Sequence, residues 1–400
     1  MKAVVWHGVG DIRLDEVPDP QIEAPTDAVV RLIATALCGT DLHLIRGTMP
    51  GMQPGTILGH EGVGVVEQVG SDVRNLNLGD RVVIPSTIGC GYCSYCRAGS
   101  FNQCDNASPS GHSFFGGGKD TGPYNGLQAE RARIPFAYVN LVKLPASITD
   151  NQAIMISDIF PTGYFGADIA DITVGDTVAV FGCGPVGQFT IASAMLLGAG
   201  RVLAVDTVPS RLEMARAQGA EVIDYNADDP VATIQRLTGG IGVDRVIDAV
   251  GVDANRPDAG PAAAHAEQQA GRFAQELDQI VPQANPQGDS WHPGNAPSQA
   301  LDWAVQAVAK AGTVAIIGNY PQTMQAFPIG AAMNKNLTIK MGSCPHRKYI
   351  PQLIELVASG AIDPESILTQ VEPMTDVLHA YQAFDQRQPG WIKVELVPGL

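Results

Sequence analysis

The sequence predicts an α/β chain in which a doubly wound parallel sheet is paired with a β-rich, barrel-like region. Three observations carry this expectation. From Asp176 onward, short apolar runs alternate with helical stretches, the pattern of parallel βαβ units. Before about residue 150, β-branched runs lie close together between glycines and prolines, as antiparallel strands do. The length of 400 residues exceeds one ordinary domain and suits two.

Taken in order, Ala28–Ala36 and Gly62–Val69 are β-branched strands, and Arg81–Pro85 follows a turn at Leu78-Gly79-Asp80. Around Asn151 the texture becomes helical. Thr177–Phe181 then reads as a strand, Val186–Leu197 as a helix, Arg201–Val205 as a strand and Arg211–Gln218 as a helix. Val222–Asp224, Arg245–Ala249, Thr313–Gly318 and Leu337–Met341 supply further short strands. Residues 252–300 interrupt this rhythm with Ala, Pro, Gln and Asp. They are expected to form an inserted flap with one amphipathic helix carrying Phe273, Leu277, Ile280 and Val281.

Composition narrows the function. A hydrophobic fraction of 45% supports a sizeable core, and 44 Gly with 28 Pro imply many turns. The net charge of −16 argues against nucleic acid and anionic membranes as partners. The stretch Met1–Pro20 has no apolar run fit for a signal peptide, and nowhere do about 18 apolar residues run unbroken. A cytoplasmic protein is expected, and clustered cysteines suit its reducing conditions.

Four of the seven cysteines, Cys90, Cys93, Cys96 and Cys104, are spaced C-x2-C-x2-C-x7-C. Four thiolates at this spacing can converge on one tetrahedral Zn²⁺. The first three also fit an iron–sulfur run, although that run wants its fourth Cys after three residues, followed by Pro; here Asp105 follows. Disulfides fit poorly, because neighbours two residues apart rarely reach the required geometry.

After the strand Thr177–Phe181 comes Gly182-Cys183-Gly184-Pro185-Val186-Gly187, a G-x-G-x-x-G that opens a helix. Asp206 stands at the end of the next strand, 19 residues past Gly187. Strand, glycines, helix and acid together form the dinucleotide fingerprint of a Rossmann domain. Gly182 makes the tight turn, Gly184 admits the pyrophosphate to the backbone, and Gly187 lets helix pack on strand, while the helix N-terminus offers unpaired N–H groups to the phosphates. Asp206 would accept the adenosine ribose hydroxyls and repel a 2′-phosphate, which favours NAD over NADP. Arg211 either contacts the adenosine end or is a solvated helix residue. The plainer alternative for the motif is a tight structural turn.

Earlier stand Cys38-Gly39-Thr40-Asp41-Leu42-His43 and Gly59-His60-Glu61. Singly, Cys38 and His60 are as consistent with a buried thiol and a core histidine as with metal ligands. The run GHE-x-x-G-x-V-x-x-V-G from Gly59, GDRV at Gly79, the four-cysteine lobe and GCGPVG together resemble the zinc-dependent medium-chain alcohol dehydrogenase family. The likeness spans the chain apart from the flap. Ser157-Asp158-Ile159-Phe160-Pro161-Thr162-Gly163-Tyr164 is similar to the formaldehyde dehydrogenase branch, in which Asp replaces a cysteine ligand.

The resemblance implies a GroES-like barrel catalytic domain, residues 1–160 and 343–400, with a structural-zinc lobe at 89–105. It implies an NAD-binding Rossmann domain at 161–342 containing the flap 252–300, with the active cleft at the junction. Two Zn²⁺ per chain are expected, one on the four cysteines and a catalytic one on Cys38, His60 and Asp158. Three protein ligands leave a fourth position for alcohol or water. By the same resemblance Thr40 accepts the substrate proton, His43 passes it on, Asp41 orients His60, Glu61 is a transient ligand, and Thr162 contacts the nicotinamide. Pro185 and Val186 lie with the glycines against the dinucleotide, and Lys393 reaches either the pyrophosphate or solvent. Substrate-facing residues are expected from Ser86–Ile88, Phe115–Lys119 and Phe160.

The implied activity is hydride transfer between NAD and a small alcohol or aldehyde, formaldehyde or a short-chain alcohol first, by a homodimer or homotetramer. Alternatives are an S-hydroxymethylglutathione dehydrogenase, a polyol dehydrogenase, a formaldehyde dismutase whose flap holds NAD through turnover, and a non-catalytic NAD-binding relative.

Overall fold

The structure is a computed structural model that describes residues 1–108 and 110–399. The chain forms two compact units, one of Met1–Pro161, Asn285–Trp291 and Ser343–Leu400, the other of Thr162–Ala284 and His292–Gly342.

The first unit is built on a seven-stranded sheet. Its order is Gln370–Pro373, Val394–Val397, Ala28–Leu37, Gly62–Val69, Arg81–Ile84 and Val142–Lys143, with Arg131–Ile134 also paired to Ala28–Leu37. All pairs are antiparallel except Gln370–Pro373 with Val394–Val397. A second sheet joins Asp11–Glu16, Lys2–Gly8 and Thr56–Ile57. Alternating inward positions such as Val30, Leu32, Val82 and Ile84 form a core that also takes in Cys90, Cys96 and Cys104. Ile88 and Phe115, expected beside the substrate, lie fully buried in that core.

The expected single flap helix is two, Gly260–Gln268 and Ala270–Ile280. The first is an alanine run opened by a proline at its start, helical by propensity without an apolar stripe. The second buries Phe273 and Ile280, as its spacing predicts. The following stretch, Asn285–Trp291, belongs to the first unit. Asn285 Nδ2 and Gln287 Nε2 donate to the carbonyls of Val9 and Gly10, each at 2.8 Å. Trp291 is 4% exposed and packs with Trp6, Leu37, Tyr381 and Phe384. Its backbone N–H donates to Asp385 Oδ2 at 2.8 Å, and Asp385 Oδ1 receives the Arg46 guanidinium at 2.6 and 3.0 Å.

The second unit is a six-stranded parallel sheet in the order Glu221–Asp224, Arg201–Asp206, Thr177–Phe181, Val243–Asp248, Val308–Ile316 and Thr338–Met341. In chain order this is 3-2-1-4-5-6, so the strand order reverses between Thr177–Phe181 and Val243–Asp248. A ligand crevice opens beyond the carboxyl ends of strands at such a point. Among the described residues no helix is long and apolar enough to cross a membrane.

Glu395 supplies a pH test of this fold. It sits on the Val394–Val397 strand, 3% exposed, and its Oε2 has no hydrogen-bond partner among the described residues. Burial, then the charges of Asp150 and Glu365, push its carboxyl up to about 7 from 4.5, against the pull of Lys393. A carboxyl raised in the folded state contributes stability below its unfolded value and loses it as pH rises through about 7. Glu395→Gln is therefore expected to leave stability unchanged at pH 4. At pH 8 it should gain on the order of 2 kcal/mol in urea unfolding; equal midpoints for both proteins at pH 8 would contradict this.

Candidate functional site

Cys38 caps the helix Gly39–Arg46, which ends at Gly47 in the left-handed conformation. His60 lies just before the Gly62–Val69 strand, and Asp158 ends the helix Asp150–Ser157. Three local elements thus aim three donors inward. Cys38 Sγ is 3.6 Å and His60 Nε2 3.5 Å from Asp158 Oδ2. Metal bonds of about 2.0 Å to N or O and 2.3 Å to S give tetrahedron edges of about 3.3–3.5 Å, so this donor set has the dimensions of a zinc site. Glu61 offers a fourth donor, all four residues lying with ligand atoms within 4.8 Å of one another.

The surroundings orient these donors. Asp41 Oδ2 accepts from the Cys38 N–H at 3.0 Å and from Gln128 Nε2 at 3.2 Å. Its Oδ1 faces His60 Nδ1 at 3.3 Å without hydrogen-bond alignment. Tyr381 holds Gln128 in turn through a 2.8 Å bond to Oε1. Burial alone would lower the His60 pKa, but the charges of Asp41 and Cys38 hold it well above the ordinary value. Burial alone would raise Asp158, yet hydrogen bonds from His346 and then His60 hold it well below the carboxylate range. A dication there would balance the Asp158 carboxylate and take the place of the proton on His60.

Glu61 and Lys393 form a fully buried ion pair. Lys393 Nζ is 2.6 Å from both Glu61 oxygens and 2.9 Å from the Leu37 carbonyl. This corrects the expectation that Lys393 reaches the pyrophosphate or solvent: at 0% exposure its ammonium is committed to Glu61. Burial brings Glu61 up to about 7 even against the Lys393 charge.

Thr40 and His43 stand one turn apart on the Gly39–Arg46 helix and so share a face. His43 Nδ1 lies 2.7 Å from Thr48 Oγ1, whose hydroxyl also reaches the His43 carbonyl at 3.3 Å. Thr162 belongs to the helix Ile159–Ile169, in the second unit.

In the cysteine lobe, Cys90 and Cys96 sulfurs are 4.0 Å apart and those of Cys93 and Cys104 3.9 Å. A Zn–S bond of about 2.3 Å gives an edge of about 3.8 Å. The N–H groups of Cys90, Cys93 and Cys96 each donate to a cysteine sulfur at 3.2–3.5 Å. Burial raises the Cys93 thiol, but the Cys96 and Asp105 N–H groups help bring it down to about 7.

In the second unit Gly182 has φ 90° and Gly184 caps the helix Pro185–Leu196, with Pro185 as its first residue and Val186 next. A Cβ at Gly187 would overlap the Gly182 carbonyl oxygen. Asp206 Oδ2 accepts from the Cys183 N–H at 2.7 Å, and Oδ1 from Thr207 and Val208 at 2.7 and 2.9 Å. Arg211 Nη1 is 3.9 Å from Asp206 Oδ2 and borders the glycine turn. The loop, helix start and acid therefore frame a phosphate-and-ribose cradle. Gly187→Ala is expected to weaken dinucleotide binding ten- to a hundred-fold, the scale of about 1–3 kcal/mol for overpacking. Calorimetric titration with NAD checks it, and unchanged affinity would contradict the tight loop.

Sequence reasoning missed Gln128, Tyr381 and His346, and placed Thr87 only within the substrate-facing run Ser86–Ile88. His346 stands in no motif, and it is 188 residues from the carboxylate it touches. His112 was also missed. Its ring stacks at 5.1 Å on Phe114, which meets His60 edge-on at 6.0 Å. Burial, then the charges of His346 and His60, lower His112 to about 4, so it is neutral.

Residues 24–146 match the alcohol dehydrogenase GroES-like domain family, and residues 185–271 the zinc-binding dehydrogenase family. The chain is 39% identical to the uncharacterized zinc-type alcohol dehydrogenase-like protein AdhB of Bacillus subtilis, across 100% of both. It is 32% identical to a glutathione-independent formaldehyde dehydrogenase of Pseudomonas aeruginosa, over 97% of this chain and 96% of that one. Among solved structures it superimposes on alcohol dehydrogenase TADH from Thermus sp. ATN1 with a TM-score of 0.79 and 33% identity, covering 100% of both chains.

Proposed function

Because the chain belongs to the zinc-type alcohol dehydrogenase family, we propose that it interconverts a small alcohol and its aldehyde, with Cys38, His60 and Asp158 holding a catalytic zinc and NAD as hydride partner. The observation that carries this reading is the zinc-sized spacing of Cys38 Sγ and His60 Nε2 from Asp158 Oδ2 within one buried donor group. The first unit is the catalytic domain and the second the dinucleotide domain. A zinc ion supplies Lewis acidity at a position open to the alcohol oxygen, and NAD supplies a hydride acceptor.

The chain's own residues do the rest. Thr40 Oγ1 takes the substrate hydroxyl proton, and His43, one helical turn on, carries it away. His43 Nδ1 pairs with the Thr48 hydroxyl at 2.7 Å, which fixes the ring for proton transfer through Nε2. Asp41 orients His60. Glu61 is poised as a transient ligand with Lys393 balancing its charge. The four cysteines hold a second, structural zinc, since four thiolates leave no place for substrate. Asp206 selects NAD by charge against a 2′-phosphate.

The substrate is formaldehyde or a short-chain alcohol, without glutathione. Support comes from Asp158 in place of a thiolate ligand and from the likeness to a glutathione-independent formaldehyde dehydrogenase. A cytoplasmic homodimer or homotetramer belongs to the same reading. The test is a panel of alcohols and aldehydes with NAD or NADP, each with and without glutathione. Oxidation of short substrates with NAD alone is expected. Failure of every alcohol and aldehyde with either dinucleotide would overturn the proposal, and turnover only with glutathione would overturn the substrate.

A further inference from the structure

A carboxylate is a loose metal ligand unless something fixes it. It has two oxygens, and it can offer one, offer both or swing away. Asp158 presents Oδ2 toward Cys38 and His60 at 3.6 and 3.5 Å, while Oδ1 lies 2.6 Å from His346 Nε2. His346 is 3% exposed and opens the helix His346–Ala358. Its other nitrogen, Nδ1, is 3.0 Å from Thr87 Oγ1, and Thr87 is 1% exposed.

The protons on this chain follow from what each atom can do. A carboxylate only accepts, so His346 Nε2 carries the hydrogen and donates to Oδ1. With Nε2 as the donor, Nδ1 is the nitrogen left to Thr87, whose hydroxyl can donate to it. The competing acceptor for that hydroxyl, the Cys344 carbonyl, is farther away at 3.4 Å. Thr87, His346 and Asp158 thus form one directed line of hydrogen bonds that ends on the oxygen facing away from Cys38 and His60.

We propose that His346 is the positioning residue of the catalytic metal: by holding Asp158 Oδ1, it makes Asp158 a one-oxygen ligand through Oδ2, and Thr87 sets its tautomer. The assignment rests on the reading of Asp158 as a ligand. Its consequence is functional. With Oδ1 engaged, the carboxylate cannot chelate through both oxygens, so the protein supplies three donors and a place remains for the substrate oxygen. The hydrogen bond also draws charge from the carboxylate and leaves the metal more electrophilic. Partners of metal ligands outside the coordination shell commonly set affinity by 10- to 100-fold, which scales the effect.

The experiment compares His346→Ala, His346→Gln, Thr87→Val and Asp158→Asn in the full chain. It measures zinc release to a competing chelator and the visible spectrum after cobalt substitution. The cysteine-lobe metal serves as an internal reference in each protein. His346→Ala is expected to lose the second metal about 10- to 100-fold more readily and to show the weaker, shifted cobalt bands of higher coordination. His346→Gln, whose amide can still donate to Oδ1, should recover much of both. Thr87→Val should fall between. Wild-type release and spectra in both His346→Ala and Thr87→Val would overturn the assignment, as would a His346→Gln protein no better than His346→Ala. Separately, an Asp158→Asn protein that keeps the second metal as tightly as the parent would overturn the ligand reading beneath it.

Discussion

Replacing Asp158 with alanine is expected to lower turnover on the order of 10³-fold, about 4 kcal/mol of lost barrier reduction. Metal content should fall from two zinc ions per chain to one. On the proposed reading two ligands would remain, Cys38 and His60, which do not complete a zinc site without a third donor. Glu61 is the nearest replacement, with its donor atom within the same 4.8 Å group. Its two oxygens are held 2.6 Å from Lys393 Nζ, however. Holding Glu61 on the metal permanently would strand a fully buried ammonium, and that penalty limits it to a transient ligand and keeps it from replacing Asp158. Metal analysis alongside steady-state kinetics checks the prediction, and full activity with one zinc would sink it.

The second large effect concerns stability. Asp385→Ala is expected to cost about 3–5 kcal/mol in denaturant unfolding, because it removes the carboxylate that balances the buried Arg46 guanidinium. Both partners are nearly inaccessible, with side-chain exposures of 6% and 3%. The same change removes the acceptor of the Trp291 N–H, at a residue whose φ of 68° needs that anchor. Arg46 is also the last residue of the helix carrying Thr40 and His43. Turnover should therefore fall together with stability. A loss below about 1 kcal/mol would show the pair to be of the weak, solvent-screened kind.

How much of this was legible beforehand depends on the distance along the chain over which each feature is defined. The parallel sheet could be read because each βαβ unit is local, and the glycine loop because turn, helix start and acid follow within a few dozen residues. Cys38 and His60 were legible as members of motifs, and Asp158 by likeness to a branch with a carboxylate there. The second flap helix was missed because an alanine-rich run has propensity without periodicity. Lys393 was misread because a lysine is charged wherever it stands in a sequence, and nothing within a few residues announces an ion pair 332 residues away.

By itself, then, the sequence determined the two kinds of architecture, the two sets of metal-type donors and the dinucleotide loop, since each is set by the order and spacing of near neighbours. Only the tertiary structure decided what holds those donors. It placed His346 on Asp158, Lys393 on Glu61, Gln128 on Asp41, and Trp291 and Arg46 on one buried Asp385. Buried polar groups must find partners or exact a desolvation penalty. Which partners they find is settled by strands and helices meeting in space, where separation along the chain no longer matters.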